Sequence, residues 1–237
     1  MKNFSLLSAL EKINAKAFFL FLFLFQVLFI FQGIDLSDEG FYATFYQQVF
    51  TQPETAQYNF MFWFSGIIGG GFNYLFPGLG LWGIRLAGVL VTTGTIIITY
   101  NLLKKYMNQG HLKAGLLLVL LFVNNNLKEF HYNNLSAFLN MLIIYFLFLG
   151  LKENKMSKIF LSGLFLSVST FSRIPNILCA GLALAIFYYG YHHKNNLKKQ
   201  VSQLLVFGAG FVFMTALLLG FMQMIGHLEI FINSLKL

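Results

Sequence analysis

The chain has 237 residues, of which 57% are hydrophobic and 10% charged, with a formal net charge of +8. Soluble domains carry about 25% charged residues, so this composition excludes a water-soluble fold and indicates an integral membrane protein with several spans. The basic residues form no block but sit between apolar runs, as topology signals do, which argues against a nucleic-acid partner; the single Cys179 excludes an internal disulfide.

Residues 1–16 carry Lys2, Lys12 and Lys16 against one acid, Glu11. An apolar run over 17–34 follows, long enough to cross a bilayer and without a small-residue cleavage site before Asp35, so it predicts a first span, not a cleaved leader. The run ends in I-D-L-S-D-E-G-F-Y-A-T-F-Y-Q-Q-V-F, residues 34–50, which places Asp35, Asp38 and Glu39, three of the eight acids in the chain, within five positions. Phe41, Tyr42, Phe45, Tyr46, Val49 and Phe50 then recur at helical spacing, with Thr44, Gln47, Gln48 and Thr51 opposite them. This predicts a short amphipathic helix in a membrane interface with an acidic start. Helix capping alone accounts for such acids: Ser37 as N-cap with Asp38 and Glu39 in the first turn is stabilised by the helix dipole by ~0.3–1 kcal/mol.

The remainder of a long loop over 35–81 has no Lys or Arg and contains Gly69-Gly70-Gly71 and Phe76-Pro77-Gly78. A second apolar surface helix is predicted at about 60–68, and Trp63 and Trp82 suit an interfacial belt. Further spans are predicted over 82–103, 114–130, 135–151, 159–173, 177–191 and 201–225, giving about seven in one polytopic domain, 1–237. The third runs through the polar stretch 124–129, and the fifth is broken by Ser172-Arg173-Ile174-Pro175-Asn176.

With the N-terminus in the cytoplasm, the inner segments hold Lys2, Lys12, Lys16, Lys104, Lys105, Lys113, Lys152, Lys155, Lys158, Lys194, Lys198 and Lys199, twelve of sixteen basic residues. The outer side keeps Asp35, Asp38, Glu39, Glu54, Glu129 and Glu229, six of eight acids. Every loop then obeys the positive-inside rule, which predicts a multi-pass protein of the cytoplasmic (inner) membrane with the 35–81 loop outside. The polar groups at the outer span ends are Asp35, Asp38, Glu39, Arg85, the 124–134 stretch with Lys128, Glu129, His131 and Tyr132, Arg173, and His227 with Glu229. Together they can line one outer cavity. Arg85 and Arg173, the only arginines, also suit side chains reaching for lipid phosphates. No H-x-x-x-H or similar ligand spacing supports a divalent metal.

This order resembles the membrane glycosyltransferases of the C superfamily, including the protein O-mannosyltransferases and the lipid A aminoarabinose transferases. Three stretches carry the resemblance: Asp38-Glu39-Gly40-Phe41-Tyr42-Ala43 after the first span, Leu81-Trp82-Gly83-Ile84-Arg85-Leu86 opening the second, and the Gly163–Arg173 span ending in a basic residue. The chain departs from the family at Tyr132-Asn133-Asn134, where an acidic residue is common, and in being about half as long, so the resemblance implies an N-terminal part or a reduced form. It implies an all-α membrane fold and transfer of a sugar from a polyprenyl phosphate to a glycan, lipid or protein acceptor outside the cytoplasm, with inversion. Asp38 would be the general base, Glu39 would orient it or bind the acceptor, and Arg173, then Arg85, would hold the donor phosphate. Tyr42, Asp35 and His131 would contact substrate. The alternatives are a transporter or flippase of lipid-linked sugars, for which inverted repeats and mid-span charges are expected and not found, and a non-catalytic membrane assembly subunit. An acidic, aromatic loop of 47 residues after the first span favours the transferase.

Overall fold

The computed structural model describes residues 6–31, 39–124 and 130–236; Asp35, Ser37, Asp38, Lys128 and Glu129 lie outside the described residues. The helices are α1 (Leu6–Lys12), α2 (Ala15–Val27), α3 (Glu39–Gln48), α4 (Trp63–Leu75), α5 (Gly80–Leu103), α6 (Gln109–Asn124), α7 (Tyr132–Glu153), α8 (Met156–Ser172), α9 (Leu184–His192), α10 (Leu197–Met224) and α11 (Leu228–Ser234). Tighter 3₁₀ segments occupy Pro53–Phe62, Pro77–Leu79 and Ile174–Ala183.

Four stretches are long and apolar enough to cross a membrane: Pro77–Leu103, Tyr132–Glu153, Ile174–His192 and Leu197–Met224. Three shorter apolar helices, Ala15–Val27, Gln109–Phe122 and Met156–Ser172, stand at the other predicted positions. The outward faces are apolar as well, with Leu178, Tyr188, Leu205, Val212 and Met224 exposed, which only a lipid solvent tolerates at this density. The chain is an all-α, multi-pass membrane protein.

Two packed groups form the bundle. In the first, Phe18 and Leu22 of α2 meet Ile96 and Tyr100 of α5 and Leu112, Leu116 and Leu120 of α6. Gln26 is buried there and donates to Thr93 Oγ1 at 2.9 Å. In the second, α8 packs between α7 and α10. Small residues permit the contact: a Cβ on Gly163 would strike the Phe207 carbonyl, and one on Gly210 the Phe160 carbonyl. With apolar lipid as the alternative solvent, such close backbone approach is the main source of helix association. Ser162 donates to the Ile143 carbonyl at 2.8 Å across the α7–α8 interface.

Lys113, read from the sequence as a loop charge, is fully buried in α6 instead. Its Nζ donates to the carbonyls of Leu10 at 3.0 Å and Ile13 at 2.6 Å. It caps the C-terminal end of α1, where carbonyls lack helical partners and the dipole favours a cation.

The 35–81 region forms the helix expected at its start. The apolar face of α3 is covered by protein: Tyr42, Phe45, Tyr46 and Val49 are all buried. The glycines of α4 make the groove that receives them, since a Cβ at Gly66, Gly69 or Gly70 would run into Phe45, Tyr46 or Val49 respectively. The second helix begins at Trp63 and runs to Leu75, later than the expected 60–68, because Pro53 opens a separate tight segment that ends at Phe62.

Candidate functional site

Four elements meet where the first long loop joins the bundle: the start of α3, the start of α5, the start of α7 and the end of α8. Glu39, the first residue of α3, is 2% exposed and forms a two-pronged ion pair with Arg85, 4% exposed in α5. Arg85 Nε lies 2.5 Å from Oε1 and Nη2 lies 2.8 Å from Oε2, while Nη1 donates to the Ile30 carbonyl at 2.6 Å. The fork matches the carboxylate plane, as Arg–carboxylate pairs do. The pair ties the end of the first apolar run, the first loop helix and α5 together.

The strand of chain entering α7 is held by backbone groups. Phe130 N–H donates to the Ile84 carbonyl at 3.1 Å, and the Phe130 carbonyl accepts from Tyr46 Oη at 2.8 Å. His131 is the N-cap of α7: its Nδ1 accepts from Asn133 N–H at 3.1 Å, and Asn134 Oδ1 accepts from His131 N–H at 3.1 Å. This reciprocal cap fixes the ring, which stacks on Tyr42 with centroids 5.8 Å apart. Tyr132 meets Tyr42 edge-on at 5.8 Å and stacks on Phe62 at 4.0 Å.

Arg173 completes the group. α8 stops at Ser172 and Arg173 is extended (φ −163°, ψ 114°), because Pro175 has no N–H to continue the helix and its ring would clash with the carbonyl four residues earlier. Buried Asn176 pins the break by donating to Ser136 Oγ at 2.7 Å and the Ser169 carbonyl at 3.0 Å, with Ser169 donating to Asn140 Oδ1 at 2.8 Å. The Arg173 guanidinium carbon lies 5.3 Å from the Tyr132 ring centre, and Nη1 donates to Asn133 Oδ1 at 3.2 Å. Its side chain is half-buried, and among the described residues Nε and Nη2 have no partner.

The structure therefore brings Glu39, Arg85, Tyr42, His131 and Arg173 into one run of contacts, with Asp35 and Asp38 outside the described residues. On the neighbouring face of α3 lies a cavity of about 330 Å³ lined by Gly40, Phe41, Thr44, Gln48, Thr55, Tyr58 and Asn59. Asn59 is 7% exposed and its Oδ1 has no hydrogen-bond partner. Sequence reasoning missed Asn59 and named Asn176 only as part of the 172–176 break. The Pro175 break was a usable signal for Asn176; nothing in sequence marks Asn59.

His227 is structural. It is buried, its Nδ1 accepts from Trp63 Nε1 at 3.1 Å, and it lies against Phe60 at 5.2 Å. Burial pushes its pKa down, opposed by the charge of Glu54 and a hydrogen bond to the Val49 backbone. Among the described residues no group of three His, Cys, Asp or Glu side chains could hold a metal ion.

The sequence profile described as dolichyl-phosphate-mannose-protein mannosyltransferase matches residues 61–219, a stretch that contains Arg85, His131 and Arg173 and begins after Glu39 and Tyr42. No curated protein and no solved structure matches the chain. Because the profile spans well over half of the 237 residues, on a helical membrane bundle of the expected kind, the chain belongs to the dolichyl-phosphate-mannose-protein mannosyltransferase family, a family of C-superfamily membrane glycosyltransferases.

Proposed function

We propose that the Glu39–Arg173 end of the bundle is a catalytic site that moves a sugar from a polyprenyl phosphate to a hydroxyl or amine acceptor. It would work on the outer face of the cytoplasmic membrane, with the N-terminus inside. The observation that carries this reading is Arg173: a half-buried guanidinium at a helix break, with Nε and Nη2 unpartnered among the described residues and its plane beside Tyr132. Such a fork suits phosphate oxygens. The charge balance of the loops and the family membership support the sidedness and the donor class.

In this reading Asp38 is the general base. The acceptor oxygen or nitrogen attacks the anomeric carbon, and Asp38 takes its proton. The bond from that carbon to the phosphate oxygen breaks with inversion, and the prenyl phosphate leaves with the electron pair, its charge held by Arg173. Glu39, engaged by Arg85, fixes the start of α3, directly after Asp38 in the sequence. The cavity lined by Thr44, Gln48 and Thr55 suits a hydroxyl-bearing acceptor, since their hydroxyl and amide groups can exchange hydrogen bonds with one.

The test is sugar transfer in membranes by Asp38→Asn at matched expression. An amide cannot accept the proton, and loss of base catalysis costs about 10²–10⁴-fold in rate. Near-normal transfer by Asp38→Asn would return the acids to a capping role.

A further inference from the structure

At the opposite, lysine-rich end of the bundle, the ends of α5 and α7 enclose a second cavity of about 510 Å³, which belongs to none of the site described above. Lys104, Lys105, Lys152, Glu153 and Lys158 line it together with Asn101, Tyr106 and Tyr145. Glu153 is already compensated: Lys158 Nζ lies 2.8 Å from both of its oxygens and Lys155 Nζ 3.1 Å from one. Among the described residues the other three lysines have no acidic partner. Lys104 donates to Asn101 Oδ1 at 2.7 Å, Lys152 donates to Tyr106 Oη at 2.6 Å, and Lys105 has no partner among the described residues. Lys104, Lys105 and Lys152 therefore stand exposed around one cavity whose lining acid, Glu153, is already held by Lys158 and Lys155.

A second recess of about 210 Å³ adjoins it, lined by Leu102, Leu103, Tyr106, Ile144 and Phe148. Leu102, Tyr106 and Phe148 line both spaces. Tyr106 forms the boundary. Its ring meets Phe148 edge-on at 5.8 Å, and its hydroxyl faces Lys152. A cationic polar chamber thus opens onto an apolar slot at the end of two membrane-crossing helices. A free anion would use only the first of these; a molecule with a phosphate joined to hydrocarbon uses both.

We infer that this is a binding site for one anionic phospholipid, with the phosphate among Lys104, Lys105 and Lys152 and an acyl chain in the slot between α5 and α7. Charge selects the headgroup, since each nearby lysine favours anionic over zwitterionic lipid, and the slot selects a lipid over a soluble anion. The partner is a lipid of the leaflet that meets the lysine loops, and the site is independent of the sugar-transfer reading.

Native mass spectrometry of the full chain tests this in detergent containing equal amounts of dioleoylphosphatidylglycerol and dioleoylphosphatidylcholine. We expect one phosphatidylglycerol retained in roughly tenfold preference. That preference should vanish in Lys104→Ala/Lys105→Ala/Lys152→Ala and survive Lys194→Ala/Lys198→Ala/Lys199→Ala, which removes the same charge elsewhere. Ile144→Trp, which fills the slot and keeps every lysine, should also abolish retention. Equal retention of the two lipids by the unmodified chain would overturn the inference without any variant. Displacement by glycerophosphoglycerol as effectively as by the intact lipid would show an anion site only and overturn it equally.

Discussion

The two arginines occupy regions that look alike in sequence and differ in structure. Both stand at an end of an apolar helix, Arg85 near the start of α5 and Arg173 just after α8. At the start of α5, Arg85 is 4% exposed with its fork closed on Glu39. At the end of α8, Arg173 is half-buried, touches only the neutral Asn133 and Tyr132 among the described residues, and keeps Nε and Nη2 unpartnered. A buried cation must be answered by the protein itself, because its desolvation is otherwise uncompensated. A half-buried one can await a ligand. Arg85 therefore belongs to the framework of the site, and Arg173 is the better candidate for binding within it.

The largest expected effect breaks the Arg85 side of this contrast. Arg85→Ala or Glu39→Ala leaves one buried charge alone and should lower stability by about 3–5 kcal/mol, measured by thermal or denaturant unfolding in detergent. The double variant Arg85→Met/Glu39→Leu should recover most of that loss, because no charge remains buried. Stability unchanged by Arg85→Ala would place both arginines in the same class and remove the distinction.

A smaller effect sharpens the Arg173 side. Arg173→Lys keeps the charge and loses the fork, so affinity for a polyprenyl-phosphate sugar should fall by about tenfold. Stability should stay within about 0.5 kcal/mol, since the lost contacts are one neutral hydrogen bond and one partly exposed cation–aromatic contact. Unchanged donor affinity in both Arg173→Lys and Arg173→Ala would leave it a lipid-facing anchor.

The smallest effect concerns how the loop region is fastened to the bundle. His227 accepts from Trp63 through Nδ1 and bonds the Val49 backbone, so both ring nitrogens are used by the neutral ring. Protonation would set two donors facing each other at Trp63. Its pKa is depressed by burial, so the unfolded chain binds the proton more readily. The stabilisation is then fully present above the unfolded value of about 6.5 and is lost as pH falls through that value toward the folded one. The melting temperature should drop between pH 7.5 and 5 in the natural chain and less so in His227→Gln, which keeps an acceptor and cannot titrate. Glu54→Gln should steepen the drop, because Glu54 opposes the shift.

Much of the scaffold was legible from residue order. Apolar runs marked several helices to within a few residues, as with 201–225 against Leu197–Met224 and 135–151 against Tyr132–Glu153. Hydropathy and helical periodicity are local properties, and in lipid the backbone has no solvent to satisfy it other than its own helix. The Pro175 break was local too, and with it the exposure of Arg173.

What sequence could not determine is which polar group answers which. Glu39 lies 46 residues from Arg85, Trp63 lies 164 from His227, and Lys113 reaches back 103 to cap α1. Each pairing joins groups whose separation along the chain carries no period. It is settled by helix packing, through contacts such as the Gly66–Gly70 groove under Phe45 and Tyr46 and the close approach at Gly163 and Gly210. Composition and order thus determined a helical membrane protein with an acidic, aromatic first loop. Tertiary packing alone decided that one arginine is spent on the framework and the other is left half-open, because the cost of burying a charge depends on what surrounds it and not on where it falls in the chain.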